Sequence, residues 1–288
     1  METILEPDRL SVGSAVILDQ KARPELSAHV SPHLLELLRE GVVEVDYLKL
    51  GPWLGQGNVR TLDSDRPLLF HSDLILSGSQ PLAPATLAET QAWLALTGTP
   101  WLSAHIGFSC EAVTWEQTFV PAPGTRLLSR DEARANIVRH ARQLAAAISI
   151  PLLLENIPRF FNRAHDHVTE PDFVAQVLAE TGCGLLLDLA HARVSAAALG
   201  YAVPDYLARL PLARTVEIHV SGPRLRDGVL TDGHEPLQEE DYRLLAWVLE
   251  RTRPCMITLE YARDKAALAE QIRRLRQMIT DCRLAIAD

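Results

Sequence analysis

At 288 residues, 47% of them hydrophobic and 23% charged, the chain has the make-up of an ordinary globular protein with ample material for a core. A formal net charge of -9 argues against a general binder of nucleic-acid backbones, which needs a basic surface. The four cysteines, Cys110, Cys183, Cys255 and Cys282, include no C-x-x-C pair, so their spacing offers neither a disulfide framework nor a zinc ribbon and suits a reducing cytosol.

The acidic start, METILEPDRL, lacks a signal-peptide pattern, and no apolar run approaches the roughly 20 residues of a membrane span. A cytoplasmic protein that meets no membrane is expected. Short apolar runs then alternate with longer amphipathic segments. The runs are SAVIL (14–18), VDYLKL (45–50), PLLFHSD (67–73), WLSAHIGF (101–108), PLLLENI (151–157), GLLLDLAH (184–191), TVEIHVSG (215–222) and MITLEYA (256–262). Between them, SPHLLELLREG predicts a helix from Ser31 to a stop at Gly41, and APATLAETQAWLALTG predicts one closing at Gly98. SRDEARANIVRHARQLAAAI offers Ser129 as a cap, and TEPDFVAQVLAETG offers Thr169, with Gly182 just past its end. VSAAALGYAVPDYLARLP reads as two short helical pieces, followed by PLQEEDYRLLAWVLERT and DKAALAEQIRRLRQMI.

Strict alternation of strands and helices implies parallel strands with crossover helices. Eight repeats predict one (β/α)8 TIM barrel over residues 1–288, built as a single domain. An open doubly wound sheet is the alternative, but no G-x-G-x-x-G follows the first run and no P-loop occurs.

A barrel of this kind builds its site where the strands end. Those ends carry His71 and Asp73, His105, Glu155 and Asn156, Asp188 and His191, then Glu217 and His219, with Asp232 and His234 in the following TDGHEP, and finally Glu260. Five of the ten histidines fall at or just after successive ends, each with a carboxylate from another strand nearby. Such a crowd would repel itself and suffer heavily from desolvation unless a cation sat within it. A metal centre is therefore expected. About ten donors exceed the four to six that one ion takes, so more than one ion is expected. Nitrogen and oxygen donors without cysteine suit iron, manganese or zinc. Glu217, two residues before His219, shares its face but sits deeper, where it either supports a ligand or ligates. Asp73 is expected as a neighbour only. His29 and His33 flank a helix start, His140 falls at a solvated helix position, and His165 and His167 are expected on a mobile surface loop. Lys49, near the mouth by its strand position, is read as a surface lysine, with contact to an acidic substrate group as the alternative.

The segments LSGSQPL, WLSAHIGFS, LLLENIPRF, EPDFVAQVLAETGCGLLLDLAHARVSAAALG, LPLARTVEIHVSG, DGHEPL and TLEYAR resemble the multinuclear non-heme iron-dependent oxidative enzymes, a family that includes the methanobactin-biosynthesis oxidase type. The resemblance runs in order from about residue 65 to 275. It implies a xylose-isomerase-like barrel with two or three irons at the strand ends and dioxygen as co-substrate. The expected reaction modifies a side chain, cysteine foremost, of a ribosomally made precursor peptide in natural-product biosynthesis. A small partner protein is expected to help deliver the peptide. Carried over, the implied ligands are His71, His105, Glu155, Asn156, Asp188, His191, His219, Asp232, His234 and Glu260, with His71, Asp188 and His191 expected as the catalytic residues. Departures are Lys49 where the family has an acidic residue, DLAH in place of D-x-N-N, and no first-strand histidine in SVGSAVILDQ. The competing readings are a sugar isomerase or an endonuclease-type zinc phosphodiesterase, and a non-catalytic metal-binding barrel that recognises a peptide.

Overall fold

Leucine- and valine-rich runs with both faces covered belong in a parallel sheet flanked by helices. The computed structural model, which describes residues 23–281, places them there. In chain order the first half comprises β1 (Glu25–His29), α1 (Pro32–Arg39), β2 (Tyr47–Leu50), α2 (Gln56–Arg60), β3 (Leu68–Ser72), α3 (Pro84–Thr97), β4 (Leu102–His105), β5 (Val113–Trp115), β6 (Phe119–Pro121) and α4 (Arg130–Ala147). The second half comprises β7 (Leu152–Glu155), α5 (Pro171–Thr181), β8 (Gly184–Asp188), α6 (Leu189–Leu199), α7 (Val203–Ala208), β9 (Thr215–Val220), β10 (Gly222–Arg226), β11 (Val229–Glu235), α8 (Glu239–Leu249), β12 (Met256–Leu259) and α9 (Lys265–Asp281). Eight strands close a barrel in the order β1-β12-β9-β8-β7-β4-β3-β2, every neighbouring pair parallel. The remaining four form two hairpins, β5-β6 and β10-β11.

The run 14–18 lies outside the described residues, and the barrel's first strand is Glu25–His29. Its interior face carries Ser27 and His29, so the segment reads as a polar loop although Leu26 and Ala28 are fully buried. Helix limits follow local chemistry. Ser31 caps α1, Ser129 and Glu132 form a capping box at α4, and Gly98, Gly182 and Gly200 end α3, α5 and α6 in the left-handed conformation. Thr169 does not cap α5: Glu170 holds the cap position and the Thr169 hydroxyl donates to the His165 carbonyl. Pro171 at the helix start leaves one fewer N–H to satisfy.

The main core lies between barrel and helices, and a smaller cluster of Leu69, Trp101, Leu153, Leu186, Cys255 and Met256 packs separately. Strand periodicity puts most of that smaller cluster on the same faces as the polar residues two and four places further along. The barrel interior is thus apolar at its N-terminal end and polar at its C-terminal mouth.

Candidate metal centre

Strand register brings the donors together. His105 on β4 pairs with Glu155 on β7, Asp188 on β8 pairs with His219 on β9, and His71 on β3 pairs with Ser103. Parallel neighbours in register point to the same side, so these side chains enter the barrel at neighbouring heights. His191 sits not on the strand but in the first turn of α6, where Asp188 caps the helix by accepting from the His191 N–H at 2.6 Å. Asp232 and His234 lie on β11 of a hairpin, not in a loop. That hairpin turns at Asp227 and Gly228, both with positive φ, and His234 itself has φ 46°.

Four groups of donors overlap, the ligand atoms of each lying within 4.8 Å of one another: His71, His105 and Glu155; Glu155, Asp188 and His191; Asp188, His219 and Glu260; and His191, Asp232 and His234. Glu155 is the hub. Its Oε2 lies 3.5 Å from His71 Nδ1 and 3.8 Å from His105 Nε2, and its Oε1 lies 3.4 Å from His191 Nδ1 and 3.5 Å from His219 Nδ1. Glu260 Oε1 is 2.9 Å from both His219 Nδ1 and His29 Nε2. Asp232 Oδ2 is 3.3 Å from His191 Nε2 and 3.1 Å from His234 Nε2.

Electrostatics divides the histidines. Burial pulls His71 well below its usual value, and His105 is likewise lowered. Burial opposes charge on His191, His219 and His234 too, but their carboxylates outweigh it. Asp188, Asp232 and Glu155 lift His191 to about 10, Asp232 and Glu260 lift His234 to about 9, and Glu260 with Glu155 raises His219 well above the ordinary range. Burial pushes the Asp188 carboxyl up to about 7, with the carboxylates around it adding to the rise. Positive charge is what this pocket favours.

Buried polar atoms in folded proteins are almost always partnered. Among the described residues seven buried side-chain atoms have no hydrogen bond, and three of them, His29 Nε2, His219 Nδ1 and Asp188 Oδ2, belong to the cluster. Imidazoles and carboxylates converging in a pocket that favours positive charge fit divalent cations that would take the place of the ring protons, and the overlap of the groups through Glu155 and Asp188 fits more than one.

Nine of the ten expected ligands converge here, and the tenth, Asn156, follows Glu155 just past the end of β7. Its side-chain oxygen accepts from the Asp188 N–H and its nitrogen donates to the Asp188 carbonyl, both at 2.9 Å, so it fixes the neighbouring strand end. Asp73 is exposed and outside the cluster. The expectation of no first-strand histidine is corrected, because His29 ends β1 and faces Glu260. Lys49 is no surface residue: it is buried beneath the donors and ion-paired with Glu217 at 2.8 Å. Two further histidines expected at the surface are buried as tethers. The ring nitrogens of His140 lie 2.7 Å and 2.6 Å from the carbonyls of Leu76 and Gln80, and those of His165 lie 2.7 Å and 2.9 Å from the carbonyls of Pro158 and Phe119, so each ring is tethered through an N–H to backbone. A backbone carbonyl partner leaves no trace in sequence, which is why neither was legible.

Among solved structures the chain is similar to a D-tagatose 3-epimerase-like protein, at TM-score 0.60 and 12% identity over 92% of this chain and 100% of that one. It is also similar to endonuclease IV from Thermus thermophilus, at TM-score 0.55 and 18% identity over 90% and 100%. These likenesses show the fold, a xylose-isomerase-like TIM barrel. Among curated proteins, a UPF0276 protein of Bordetella pertussis is 33% identical over 193 residues, 65% of each chain. One of Streptomyces avermitilis is 30% identical over 234 residues, 81% of this chain and 44% of that protein. The match to the Bordetella relative thus spans about two thirds of its length. Residues 10–281 match the family described as "RiPP precursor modification enzyme MbnB/TglH/ChrH", the family to which this chain belongs.

Proposed function

We propose that the chain is a multinuclear non-heme iron enzyme that uses dioxygen to oxidise a side chain, cysteine foremost, of a ribosomally made precursor peptide. Membership of a precursor-modification family supports the peptide, and the overlapping donor groups support the metal. The observation that carries the reading is the sharing of Glu155 and Asp188 between groups, since bridging carboxylates are what a multinuclear centre needs.

The residues that would hold the ions are His71, His105 and Glu155 on one side, Asp188, His219 and Glu260 with His29 at the centre, and His191, Asp232 and His234 towards the hairpin. Iron bound there would supply the electrons and the open coordination position that reaction with dioxygen requires. The protein supplies access and orientation. His234 and His105 are the donors nearest solvent, with side chains 47% and 24% exposed, so a substrate group enters between β4 and the hairpin. A cysteine thiolate is soft and anionic, which would suit the site once bound cations offset its carboxylates. Exposed aromatic residues flank the entrance: Trp53 packs its ring 5.9 Å from that of His29, and Trp115 meets Phe119 edge to face, which in turn lies 5.9 Å from His105. Such side chains suit a peptide better than a small polyol. Delivery by a small partner protein belongs to the same proposal, as does a cytoplasmic location. No helix among the described residues is long and apolar enough to cross a membrane.

The test is metal analysis after anaerobic purification, followed by mass spectrometry of a cysteine-bearing peptide exposed to the protein and air. More than one iron per chain and an oxygen-dependent mass change are expected. Zinc alone with phosphodiester cleavage, or one magnesium or manganese with sugar turnover, would replace the proposal with one of its competitors.

A further inference from the structure

Beneath the donors lies a charged pair that the reading above does not use. Lys49 and Glu217 are both buried, and Lys49 directs its three N–H donors to Glu217 Oε1 at 2.8 Å, Glu217 Oε2 at 2.9 Å and Ser103 Oγ at 3.1 Å. Glu217 is ringed by donors. Besides the ammonium, it accepts from Trp101 Nε1 at 2.8 Å and Thr258 Oγ1 at 2.7 Å, and it faces His219 Nε2 at 3.1 Å. An ionised carboxylate has no proton to give, so the contact with His219 can be made only by a proton on Nε2. The other ring nitrogen, Nδ1, is the one that points at Glu260 and Glu155 without a hydrogen bond. The same lysine reaches a second donor through Ser103, whose hydroxyl is 3.1 Å from His71 Nδ1. One buried ammonium therefore indexes imidazoles on β3 and β9, on opposite sides of the barrel.

We propose that Lys49 and Glu217 are positioning residues of the metal centre: the lysine, with Trp101 and Thr258, fixes Glu217 in place as an acceptor, which holds the His219 proton at Nε2 and frees Nδ1 to ligate. The proposal rests on the reading of the site as a metal centre and adds to it a fixed internal cation that is not a ligand. Groups that orient a ligating histidine through its second nitrogen affect metal affinity by roughly 10- to 100-fold. In Glu217→Gln an amide nitrogen at either oxygen position meets donors, so the contact with His219 is lost or reversed. In Lys49→Met the carboxylate loses the donor that holds both of its oxygens in place.

The experiment is anaerobic titration of the metal-free full chain with Co(II), reading stoichiometry, affinity and the visible d–d spectrum. Lys49→Met and Glu217→Gln are each expected to lose tenfold or more in affinity for at least one ion, with an altered spectrum. The double variant Lys49→Met/Glu217→Gln, which removes both buried charges, separates positioning from stability. It is expected to melt closer to the wild type than either single variant while keeping the weakened affinity. Wild-type binding restored in the double variant, or unchanged in both singles, makes the pair merely structural and overturns the proposal. A readout free of any folding defect is nitrogen-15 NMR of the zinc-loaded wild type: the proton of His219 is expected on Nε2, and a proton on Nδ1 overturns the proposal even with metal bound. A wild type that takes up no metal ends the metal-centre reading itself, an outcome distinct from the others.

Discussion

Glu155→Gln is the perturbation to which the centre should be most sensitive. The amide keeps the shape of the side chain but removes one charge and the ability of both oxygens to act as anionic donors. In the structure those oxygens stand 3.4–3.8 Å from four imidazole nitrogens, and they belong to two of the four donor groups. At an effective dielectric near 20, two unit charges about 4 Å apart interact by about 4 kcal/mol. Since about 1.4 kcal/mol is a factor of ten, removing the charge should weaken binding by about a thousandfold for an adjacent ion. The assay is metal content per chain by mass spectrometry, with Co(II) titration for affinity. Because Glu155 is shared, its replacement should lower occupancy at two positions, whereas His234→Ala, confined to the His191, Asp232 and His234 group, should lower it at one. Equal losses in the two variants would refute the bridging role, and full metal retention in Glu155→Gln would refute the placement of the centre.

His105→Ala and His191→Ala should each lower iron content as well, measured on anaerobically purified protein. Gly222→Ala should cost metal at the hairpin group alone, because a Cβ there would lie 2.3 Å from the Pro236 carbonyl and 2.7 Å from that of Glu235, and backbone must shift to admit it. Asn156→Asp should destabilise the metal-free protein by about 1–3 kcal/mol in urea denaturation, since the donor to the Asp188 carbonyl is lost and that buried carbonyl faces a carboxylate. Burial lowers His165 from 6.5 to about 4, so the fold favours its neutral form. That contribution is complete above pH 6.5 and is lost as pH falls towards 4. Over that window the stability difference between wild type and His165→Gln should shrink by about 3 kcal/mol, at 1.36 kcal/mol per unit. A pH-independent difference would show that the ring is not held neutral.

The barrel was legible because its signals are local and repeated. Seven of the eight barrel strands overlap apolar runs read from the sequence, and the helix stops at Gly98 and Gly182 follow from the left-handed backbone that glycine adopts cheaply. The strand that escaped, Glu25–His29, faces Ser27 and His29 into the barrel, and a polar interior face is indistinguishable in sequence from a solvated one. The same ambiguity concealed Lys49. Lysine is almost never buried unless paired, and its partner Glu217 is 168 positions away on β9. The donors were readable for the opposite reason, as histidines and carboxylates recurring at strand ends. Their grouping was not, since only the register shows that Glu155 touches four imidazoles while Asn156 commits its amide to the backbone of Asp188.

Two polar layers stacked in one barrel answer to different demands. The interior of a (β/α)8 barrel is ordinarily filled by branched apolar side chains. Here the layer of Leu69, Trp101, Leu153, Leu186 and Met256 keeps to that pattern. Directly above it, each N–H of Lys49 and both oxygens of Glu217 have partners, as a polar group kept for structure requires. One step nearer the mouth the satisfaction stops, at His29 Nε2, His219 Nδ1 and Asp188 Oδ2. Each unpaired buried group costs about 1–3 kcal/mol, and no protein donor offsets it. A fold that completes its hydrogen bonds around Lys49 has the means to complete them around His219 as well. Ser27 Oγ, Thr118 Oγ1, Thr215 Oγ1 and Arg276 Nε are unpartnered singly elsewhere, but three such atoms gather where imidazoles and carboxylates converge, and that gathering points to a cation as the missing partner. It also implies that metal binding and the stability of the barrel mouth are coupled, so the apo protein should open first at the β10-β11 hairpin, which carries Asp232 and His234 and pairs with no barrel strand.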